Sequence, residues 1–451
     1  MDPKLTVDLK ELDELLAVST TPENSLTHTK NLADLADRLT TSNRNEEAVK
    51  AGQKAVVLFR GLEDEHLVIS SLESSLLNLS TNFTLLQRFA EAVEASQEAV
   101  DLRRAAVLQD PSTIGSLGTD LYRLGGDLSR GGRMEEAVVA DKEATECLQK
   151  VAYGQGKQDD LLLELSCTLN CRSRHLRALG RNEEAIDVDT EVVKVYQVMA
   201  EKDAGETPAL ASAQEDLGES LSAIGRFDEA INHGREAVEL RRKLLEKAPS
   251  DTQAYGNALN LLATSLSKAG RHEEAIPIGK ESAEVIRRLA SESTPGLLSA
   301  LSVIVHNVAT NLWRIGRQEE ALPFWLEVVE VVRRLVKTEI AGVPPVTLAY
   351  ALDMLSMNLA SLERHEEAVK AGEEAVKEHR AAVQCDTSTT EPQLAQALFD
   401  LSAQYAAIRD YDKAVATAEE AVILRKRLAD EGPDVAPKHL VVALSRLVKV
   451  L

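Results

Sequence analysis

The most reactive side chains of this sequence lie close together at Cys167, Cys171 and His175. Their four-residue spacing places two thiols and one imidazole on the same face of a helix. A soft metal such as zinc prefers these ligands, but a closed zinc site takes four of them and no fourth is evident. Cysteine also serves as a small buried hydrophobic residue. We therefore predict no metal here, and expect thiols that are packed or exposed in a groove.

Two other motifs look like fragments of catalytic signatures. The segments His272-Glu-Glu-Ala-Ile and His365-Glu-Glu-Ala-Val begin like a zinc-protease helix but lack its second histidine. The segment Gly154-Gln-Gly156-Lys157 has neither the glycine spacing nor the Ser or Thr of a phosphate-binding loop. We therefore predict no catalytic residue and no cofactor, and a protein that is not an enzyme.

The composition of the chain narrows the classes of function further. Its 451 residues include 73 acidic and 51 basic side chains, which give a net charge of −22. Such a chain repels phosphate backbones and anionic lipid, so we expect neither nucleic acid nor a membrane surface as partner. No apolar run reaches the roughly 18 residues of a membrane span. Four scattered cysteines do not form a disulfide framework, so a cytoplasmic location fits best.

An internal repeat reveals the elements that carry these residues. The segment Gly180-Arg-Asn-Glu-Glu-Ala-Ile recurs in variant form along the chain, at intervals of 44 to 48 residues. We use the alanine of this segment, called here the anchor alanine, as the reference position of each repeat. The anchors are Ala48, Ala92, Ala137, Ala185, Ala230, Ala275, Ala321, Ala368 and Ala414. Such regularity predicts one structural unit repeated nine times.

Other positions keep step with the anchor alanine. A large apolar residue stands nine residues before it in every repeat, and small residues stand twelve before and seven after it. Large residues that alternate with small ones at helical spacing indicate two packed helices, A and B, in each repeat. Aromatic residues make up only 3% of the chain, which also favours close helix contacts over a β-sandwich.

The turn between helices A and B lies five residues before the anchor. Five repeats have a glycine there, which suits the left-handed conformation at a helix end: Gly132, Gly180, Gly225, Gly270 and Gly316. The other four have Asn43, Gln87, Glu363 and Arg409, so we expect those turns to be built differently. Arginine follows the turn position in eight repeats, and glutamate precedes the anchor in the same eight. This pattern predicts weak ion pairs on a solvated turn.

The order of small, large, glycine and alanine residues resembles the tetratricopeptide repeat (TPR), as in Gly218, Leu221, Gly225, Ala230 and Ala237. The usual period of that repeat is about 34 residues. The longer units here are similar to the TPRs of kinesin light chains and of fungal multidomain arrays. The resemblance implies an all-α, right-handed solenoid of about nine helix-turn-helix repeats, with the A helices lining its concave surface. Such repeats are stabilised by their neighbours.

The pattern divides the chain into three parts. Residues 1–27 are predicted to form an N-terminal helix that acts as a half-repeat or cap, and residues 28–430 the nine repeats. Residues 431–451 are predicted to form an unpaired A-type helix. A terminal cap should have a polar outer face, whereas this helix is strongly apolar. We hypothesise that the chain is a segment of a longer array, or that its last helix docks onto a second copy.

Binding residues are expected on the A helices, at positions that the register turns away from the packing interface. These lie 14–15, 11 and 7–8 residues before each anchor, and include Asn78, Asn170, Asn260, His306 and Asn307. In kinesin-light-chain-like repeats, asparagine at matching positions contacts the main chain of an extended peptide, and the resemblance implies the same here. An amide offers such a backbone both a donor and an acceptor. The alternative is asparagine that is solvated or hydrogen-bonded within the groove.

Charged residues at these positions are segregated along the chain. The basic candidates in repeats three and four are Arg123, Arg130, Arg174 and Arg177. The acidic ones in repeat five are Glu215, Asp216 and Glu219. Repeat seven adds a stacking and charge anchor, Trp313 with Arg314. We expect a positive groove segment beside a negative one; the alternative is that the two patches pair with each other.

Together these features predict a non-catalytic protein-interaction scaffold that binds extended peptides or partner proteins in its concave groove. The partner is expected to carry an acidic segment. One alternative is a regulatory or sensor array of a larger protein whose effector domain lies outside this chain. Another is a structural spacer that dimerises through its C-terminal helix.

Overall fold

The computed structural model describes residues 11–17, 25–62, 66–154, 159–291, 294–337, 346–385 and 387–431, and all regular structure in these ranges is helical. Their eighteen longer α-helices form nine hairpins, with odd numbers for A helices and even numbers for B helices. The first ten are α1 Ser25–Thr41, α2 Asn45–Arg60, α3 His66–Leu85, α4 Phe89–Gln109, α5 Ile114–Arg130, α6 Met134–Ala152, α7 Asp159–Ala178, α8 Asn182–Lys202, α9 Thr207–Ala223 and α10 Phe227–Lys247. The others are α11 Thr252–Lys268, α12 His272–Leu289, α13 Pro295–Arg314, α14 Gln318–Lys337, α15 Val346–Ser361, α16 His365–Cys385, α17 Thr387–Ala407 and α18 Tyr411–Glu431.

The chain divides into two compact units, Met1–Ser220 and Leu221–Leu451, and the division falls inside α9. In the first unit each helix from α1 to α7 packs on the helix that follows it. The A helices of neighbouring repeats also touch there, α1 with α3, α3 with α5 and α5 with α7. In the second unit α10 to α18 pack in the same consecutive way. The predicted all-α repeat solenoid fold is therefore confirmed.

The core of each hairpin forms at the positions that the repeat pattern marks. All nine anchor alanines are at most 1% exposed, and the large residues nine positions before them are buried as well. Small residues allow the helices to approach closely. On Gly52, for example, a Cβ atom would lie 2.9 Å from Cδ2 of Leu79 in the next A helix. The alternation of large and small residues is thus a packing requirement.

All nine turns share one backbone conformation. The five glycines at the turn position have φ between 73° and 85°. The prediction that the other four turns differ is wrong, because φ lies between 58° and 65° there as well, at Asn43, Gln87, Glu363 and Arg409. In every turn the next amide N–H donates to the carbonyl of the large residue nine positions before the anchor, at 2.8–3.0 Å. This hydrogen bond closes the turn even where a side chain makes the left-handed conformation costly.

Arginine side chains on the turns and on the B helices pair within the chain. Arg181 and Glu184 illustrate the predicted turn pair, with hydrogen bonds of 2.6 and 2.7 Å. Arginines near the ends of B helices reach the next B helix, as Arg104 reaches Glu143 at 2.7 Å. Exposed pairs of this kind contribute about 1 kcal/mol or less to stability. These ion pairs engage the arginines of the turns and of the B helices. Those arginines are therefore weaker candidates for binding a partner.

One helix of the described residues, α13, is long and apolar enough to cross a membrane by length and composition alone. Half of its most apolar window is buried inside the protein. Leu301 and Val308 of α13, for example, lie in one hydrophobic cluster with Trp325 of α14. Packing within the repeat therefore accounts for its hydropathy.

The predictions for the two ends of the chain are only partly covered by the described residues. Residues 11–17 are helical, and Leu12 is buried in the same cluster as Leu35 of the first hairpin. The unpaired apolar helix predicted after residue 431, with its docking role, lies outside the described residues.

Candidate functional site

A cavity of about 490 Å³ opens in the first unit, over the A helices α3, α5 and α7 of repeats two to four. Arg123, Arg130 and Arg174 line it, together with Tyr122 and His175. The three arginines lie 14, 7 and 11 residues before their anchors, at positions that the register turns away from the packing interface. The structure thus brings three of the predicted binding residues into one cavity.

The cavity arginines retain hydrogen-bond donors for a ligand. Arg174 Nη2 donates to Cys171 Sγ at 3.0 Å, and sulfur is a weak acceptor. Arg130 Nη1 lies 3.8 Å from Asp127 Oδ1, which is a long ion pair. Arg123 is exposed and forms no ion pair with any residue that the structure describes. Because each guanidinium has five N–H donors, most of them are left for an anionic partner.

Asp127 also lines the cavity, but its carboxylate is already occupied. Oδ2 accepts a hydrogen bond from the hydroxyl of Ser80, and Oδ1 accepts one from Thr84 Oγ1 at 2.8 Å. Both hydroxyls belong to α3, whereas Asp127 belongs to α5. This carboxylate therefore ties two neighbouring A helices together more than it neutralises the arginines.

A buried carboxylate holds the cavity histidine in place. His175 Nδ1 lies 2.7 Å from Oδ2 of Asp141 on α6, whose side chain is fully buried. Burial raises the pKa of Asp141, and the hydrogen bond with His175 lowers it in part. Since Nδ1 is engaged, Nε2 is the polar ring atom left to a ligand. Sequence reasoning missed Asp141. The available signal is an acidic residue four positions after the anchor, where most other repeats have a small residue such as Gly52 or Gly234.

The two cysteines that precede His175 differ in their surroundings. Cys167 is exposed, whereas Cys171 is half-buried and lines the cavity, 3.9 Å from Tyr122 Oη. Burial raises the pKa of Cys167, and it raises the pKa of Tyr122 to about 12, so both groups are protonated at neutral pH. Among the described side chains, no group of three or more His, Cys, Asp or Glu residues could hold a metal ion. What this cavity offers a ligand is positive charge and hydrogen-bond donors.

Family models match the repeats directly. Two models of the tetratricopeptide repeat match residues 164–243 and 256–295. The chain is a TPR protein. A model of anaphase-promoting complex subunit 5 also matches residues 23–113 and 378–437. The TPR family is generally non-catalytic, and this TPR protein is a protein-interaction or regulatory repeat array with protein or peptide partners.

Several solved structures are similar to this TPR protein. BtubC from P. vanneervenii is 22% identical over 56% of this chain and 92% of its own, with a TM-score of 0.41. A putative kinesin light chain of Podospora anserina with nearly identical TPR-like repeats is 19% identical over 49% of this chain and 97% of its own, with a TM-score of 0.38. A signal transduction ATPase with a TPR sensor from Pyrococcus horikoshii is 13% identical over 79% of this chain and 49% of its own, with a TM-score of 0.45. No curated protein sequence matches the chain.

Arg177, predicted to belong to the basic cluster of the TPR protein, is paired within the first unit. Its Nη2 donates to Asp189, which occupies in repeat four the position of Asp141 in repeat three. The same nitrogen donates to Ser220 Oγ at 2.7 Å. Arg177 also interacts electrostatically with Asp216 of the predicted acidic patch. The alternative of pairing between the two patches is therefore realised at Arg177, which does not line the cavity.

The asparagines that the register predicts on the first unit of the TPR protein have different roles. Asn78 accepts a hydrogen bond from Asn82 Nδ2 at 2.7 Å and donates one to Asp37 of α1. It therefore links two A helices, as the alternative of asparagine bonded within the groove describes. Asn170 is exposed on α7, beside Cys171, and stays a binding candidate.

The remaining candidates lie in the second unit of the TPR protein, on α11 and α13. His306 packs edge-on against the buried Trp325, with ring centroids 5.1 Å apart, and burial lowers the pKa of its imidazole. This histidine therefore has a packing role. Trp313 is 40% exposed and stays a candidate for contact with a partner. The others are half-buried Asn260 and Asn307, and exposed Arg314.

Proposed function

We propose that this TPR protein is a non-catalytic scaffold that binds a short acidic segment of a partner protein in the cavity over α3, α5 and α7. The observation that carries the proposal is the group of three exposed arginines that line this cavity, Arg123, Arg130 and Arg174. They stand on a chain whose net charge is −22. Positive charge that is concentrated in one cleft of an acidic protein favours an anionic ligand of limited size.

A short acidic segment suits this cavity better than a nucleic acid does. The volume of about 490 Å³ accommodates a few side chains. Electrostatic attraction is screened beyond about 8 Å at physiological ionic strength, so only charges seated in the cavity gain from the arginines. Duplex DNA carries one negative charge about every 1.7 Å along its axis, and the charges outside the cavity would meet a chain whose net charge is −22.

Polar side chains near the arginines would position the backbone of the bound segment. Thr81 and Tyr122 line the cavity on α3 and α5 and present hydroxyl groups. Asn170 on α7 presents an amide that can both donate to and accept from a peptide unit. These groups lie on three successive A helices, so the bound segment would run across the helices in an extended conformation.

Charge reversal in the cavity tests the proposal. The double variant Arg123→Glu/Arg174→Glu replaces two donor groups with carboxylates at exposed positions, where folding should be preserved. A hydrogen bond to a charged group contributes about 1.5–3 kcal/mol, so affinity for short randomised peptides with a glutamate-rich centre should fall about tenfold or more. Arg288→Glu, at an exposed arginine of α12 that does not line the cavity, is the matched control and should bind like the parent. Equal affinity of parent and double variant would overturn the proposal.

A further inference from the structure

We propose that the acidic group held in this cavity is the phosphate of a phosphorylated side chain, bound over Gly126 between Arg130 and Arg174. The inference rests on the proposed function, because it names the class of acidic segment that the same cavity takes. It depends on three arginines that line the same cavity and on Gly126, whose missing side chain leaves a gap in the cavity lining.

The gap in the floor is created by a glycine. Thr81, Gly126 and Arg174 each lie eleven residues before the anchor alanine of their repeat, so they stand at the same level on α3, α5 and α7. Gly126 contributes no side chain at this level. A Cβ atom placed on it would come within 3.2 Å of Arg130 Nη1. The guanidinium of Arg130 therefore folds back over Gly126, about one helical turn from its own backbone.

Two further arginines line the same cavity as Gly126. Arg174 lies beside Gly126 on the neighbouring A helix, and Arg123 lies three residues before Gly126, on the same face of α5. A phosphate monoester carries a charge of about −1.5 to −2 at neutral pH and three acceptor oxygens. It can accept from several arginines at once, whereas a carboxylate has two oxygens that a single bidentate arginine satisfies.

The acidic residue next to the gap is shielded. Asp127 follows Gly126, and its two oxygens accept hydrogen bonds from Ser80 and Thr84. Its contact with Arg130 is long, at 3.8 Å, so the guanidinium is not held in a tight pair. Arg130 can therefore direct its donors to a phosphate over Gly126 without breaking a short ion pair.

Fluorescence anisotropy with matched peptide pools tests the inference on the full chain. The pools are identical randomised peptides centred on phosphoserine, serine or glutamate. We expect the phosphoserine pool to bind about tenfold more tightly than the glutamate pool, and the serine pool to bind most weakly. Inorganic phosphate and a single-stranded oligonucleotide are the comparison anions. If either bound as tightly as the phosphoserine pool, the assignment to a phosphorylated protein segment would be overturned.

Gly126→Ala is the decisive variant, because its Cβ atom would lie 3.2 Å from Arg130 Nη1 and the guanidinium group must shift by a few tenths of an ångström to admit it. Alanine is a better helix former than glycine, so the melting temperature should equal or exceed that of the parent. Affinity for the phosphoserine pool should fall by about threefold or more, because the shifted guanidinium group meets the phosphate less favourably. Gly296→Ala, where the added Cβ would meet no atom within 4 Å, is the matched control and should bind like the parent. Unchanged phosphoserine binding in Gly126→Ala would overturn the placement.

The outcomes separate this inference from the proposed function. If the phosphoserine and glutamate pools bind equally and both are lost in Arg123→Glu/Arg174→Glu, the inference fails and the proposed function stands. If no acidic pool binds the parent, both fail.

Discussion

The carboxylate of Asp141 lies 2.7 Å from Nδ1 of His175, and these residues are 0% and 7% exposed. This pair joins the B helix of repeat three to the A helix of repeat four, directly under the arginine-lined cavity. Because both partners are buried, removal of either one leaves the other without its hydrogen bond. The pair therefore couples the stability of neighbouring repeats to the shape of the cavity floor.

A double-mutant cycle on this pair should show strong coupling. We expect Asp141→Ala to lower the free energy of unfolding by about 1–3 kcal/mol, since it leaves a buried imidazole N–H unsatisfied. We expect His175→Phe to cost about 3–5 kcal/mol, since it leaves a buried carboxylate uncompensated. The double variant should lose less than the sum of the two, as measured by urea unfolding. Additive losses would show that the contact contributes little.

Stability should depend on pH through a second buried cluster, between repeats two and three. Arg103 Nε lies 2.5 Å from Glu73 Oε1 and 3.1 Å from Asp120 Oδ2, so one guanidinium serves two buried carboxyl groups. Burial, with the hydrogen bond to Asp120, raises the pKa of Glu73 from 4.5 to about 8. Over this interval the folded chain holds a proton that the unfolded chain has released. The free energy of unfolding should therefore fall as pH rises from 4.5 to about 8, by at most about 1.4 kcal/mol per pH unit.

Glu73→Gln tests this pH dependence, because the amide mimics the protonated carboxyl group. Urea titrations between about pH 5 and 8 should show a flatter profile than the parent and higher stability at the upper end. Glu94→Gln, at an exposed position of α4, should leave the profile of the parent unchanged. A parent-like slope in Glu73→Gln would mean that Glu73 is ionised in the folded protein.

Single substitutions in the turns that lack glycine should increase the stability of the protein. Glu363 has φ of 60°, a conformation that costs a side-chain-bearing residue about 1–2 kcal/mol. Glu363→Gly should raise the free energy of unfolding by about 0.5–1 kcal/mol, because the greater freedom of glycine in the unfolded chain offsets part of the gain. Glu363→Ala keeps the Cβ atom and should give no gain. Thermal unfolding of both variants tests this prediction. Identical melting temperatures for Glu363→Gly and Glu363→Ala would show that backbone strain at residue 363 does not limit stability.

A close contact between two helices should make the protein sensitive to substitution of one glycine in a B helix. On Gly279 of α12 a Cβ atom would lie 2.8 Å from Cγ2 of Val308 on α13. Gly279→Ala should therefore cost about 1–3 kcal/mol through overpacking, although alanine is the better helix former. The double variant Gly279→Ala/Val308→Ala moves the bulk from one helix to the other and should recover part of the loss. A Gly279→Ala variant more stable than the parent would contradict the packing argument.

The repeat period and the core could be predicted from sequence because every hairpin buries the same face. Ala275 and Leu266 keep the same separation as their counterparts in the other repeats, and that separation fixes helix, turn and helix. The turns at Gln87 and Glu363 were mispredicted for a physical reason. The preference for glycine reflects the conformational cost of the left-handed backbone at one residue. The hydrogen bond and the packing around each turn stabilise the whole hairpin and outweigh that cost.

The repeat register predicts which residues of the A helices are exposed, but it does not predict the partners of their side chains. The register places Arg123, Arg130 and Arg174 on exposed positions of the A helices, and these three do share a cavity. It does not give the partner of a long flexible side chain, so the pairing of Arg177 with Asp189 was not anticipated. Such partners depend on rotamers and on buried acids of the B helices, which the repeat pattern does not encode.

The most direct test of binding in this cavity uses two native cysteines one helical turn apart on α7. Cys171 lines the cavity, whereas Cys167 is exposed and does not belong to the cavity lining. The rate of alkylation of each thiol, followed by mass spectrometry, should be measured with and without a saturating acidic peptide. We predict that the peptide slows alkylation of Cys171 and leaves Cys167 unchanged. Equal rates at Cys171 with and without bound peptide would contradict the proposed site.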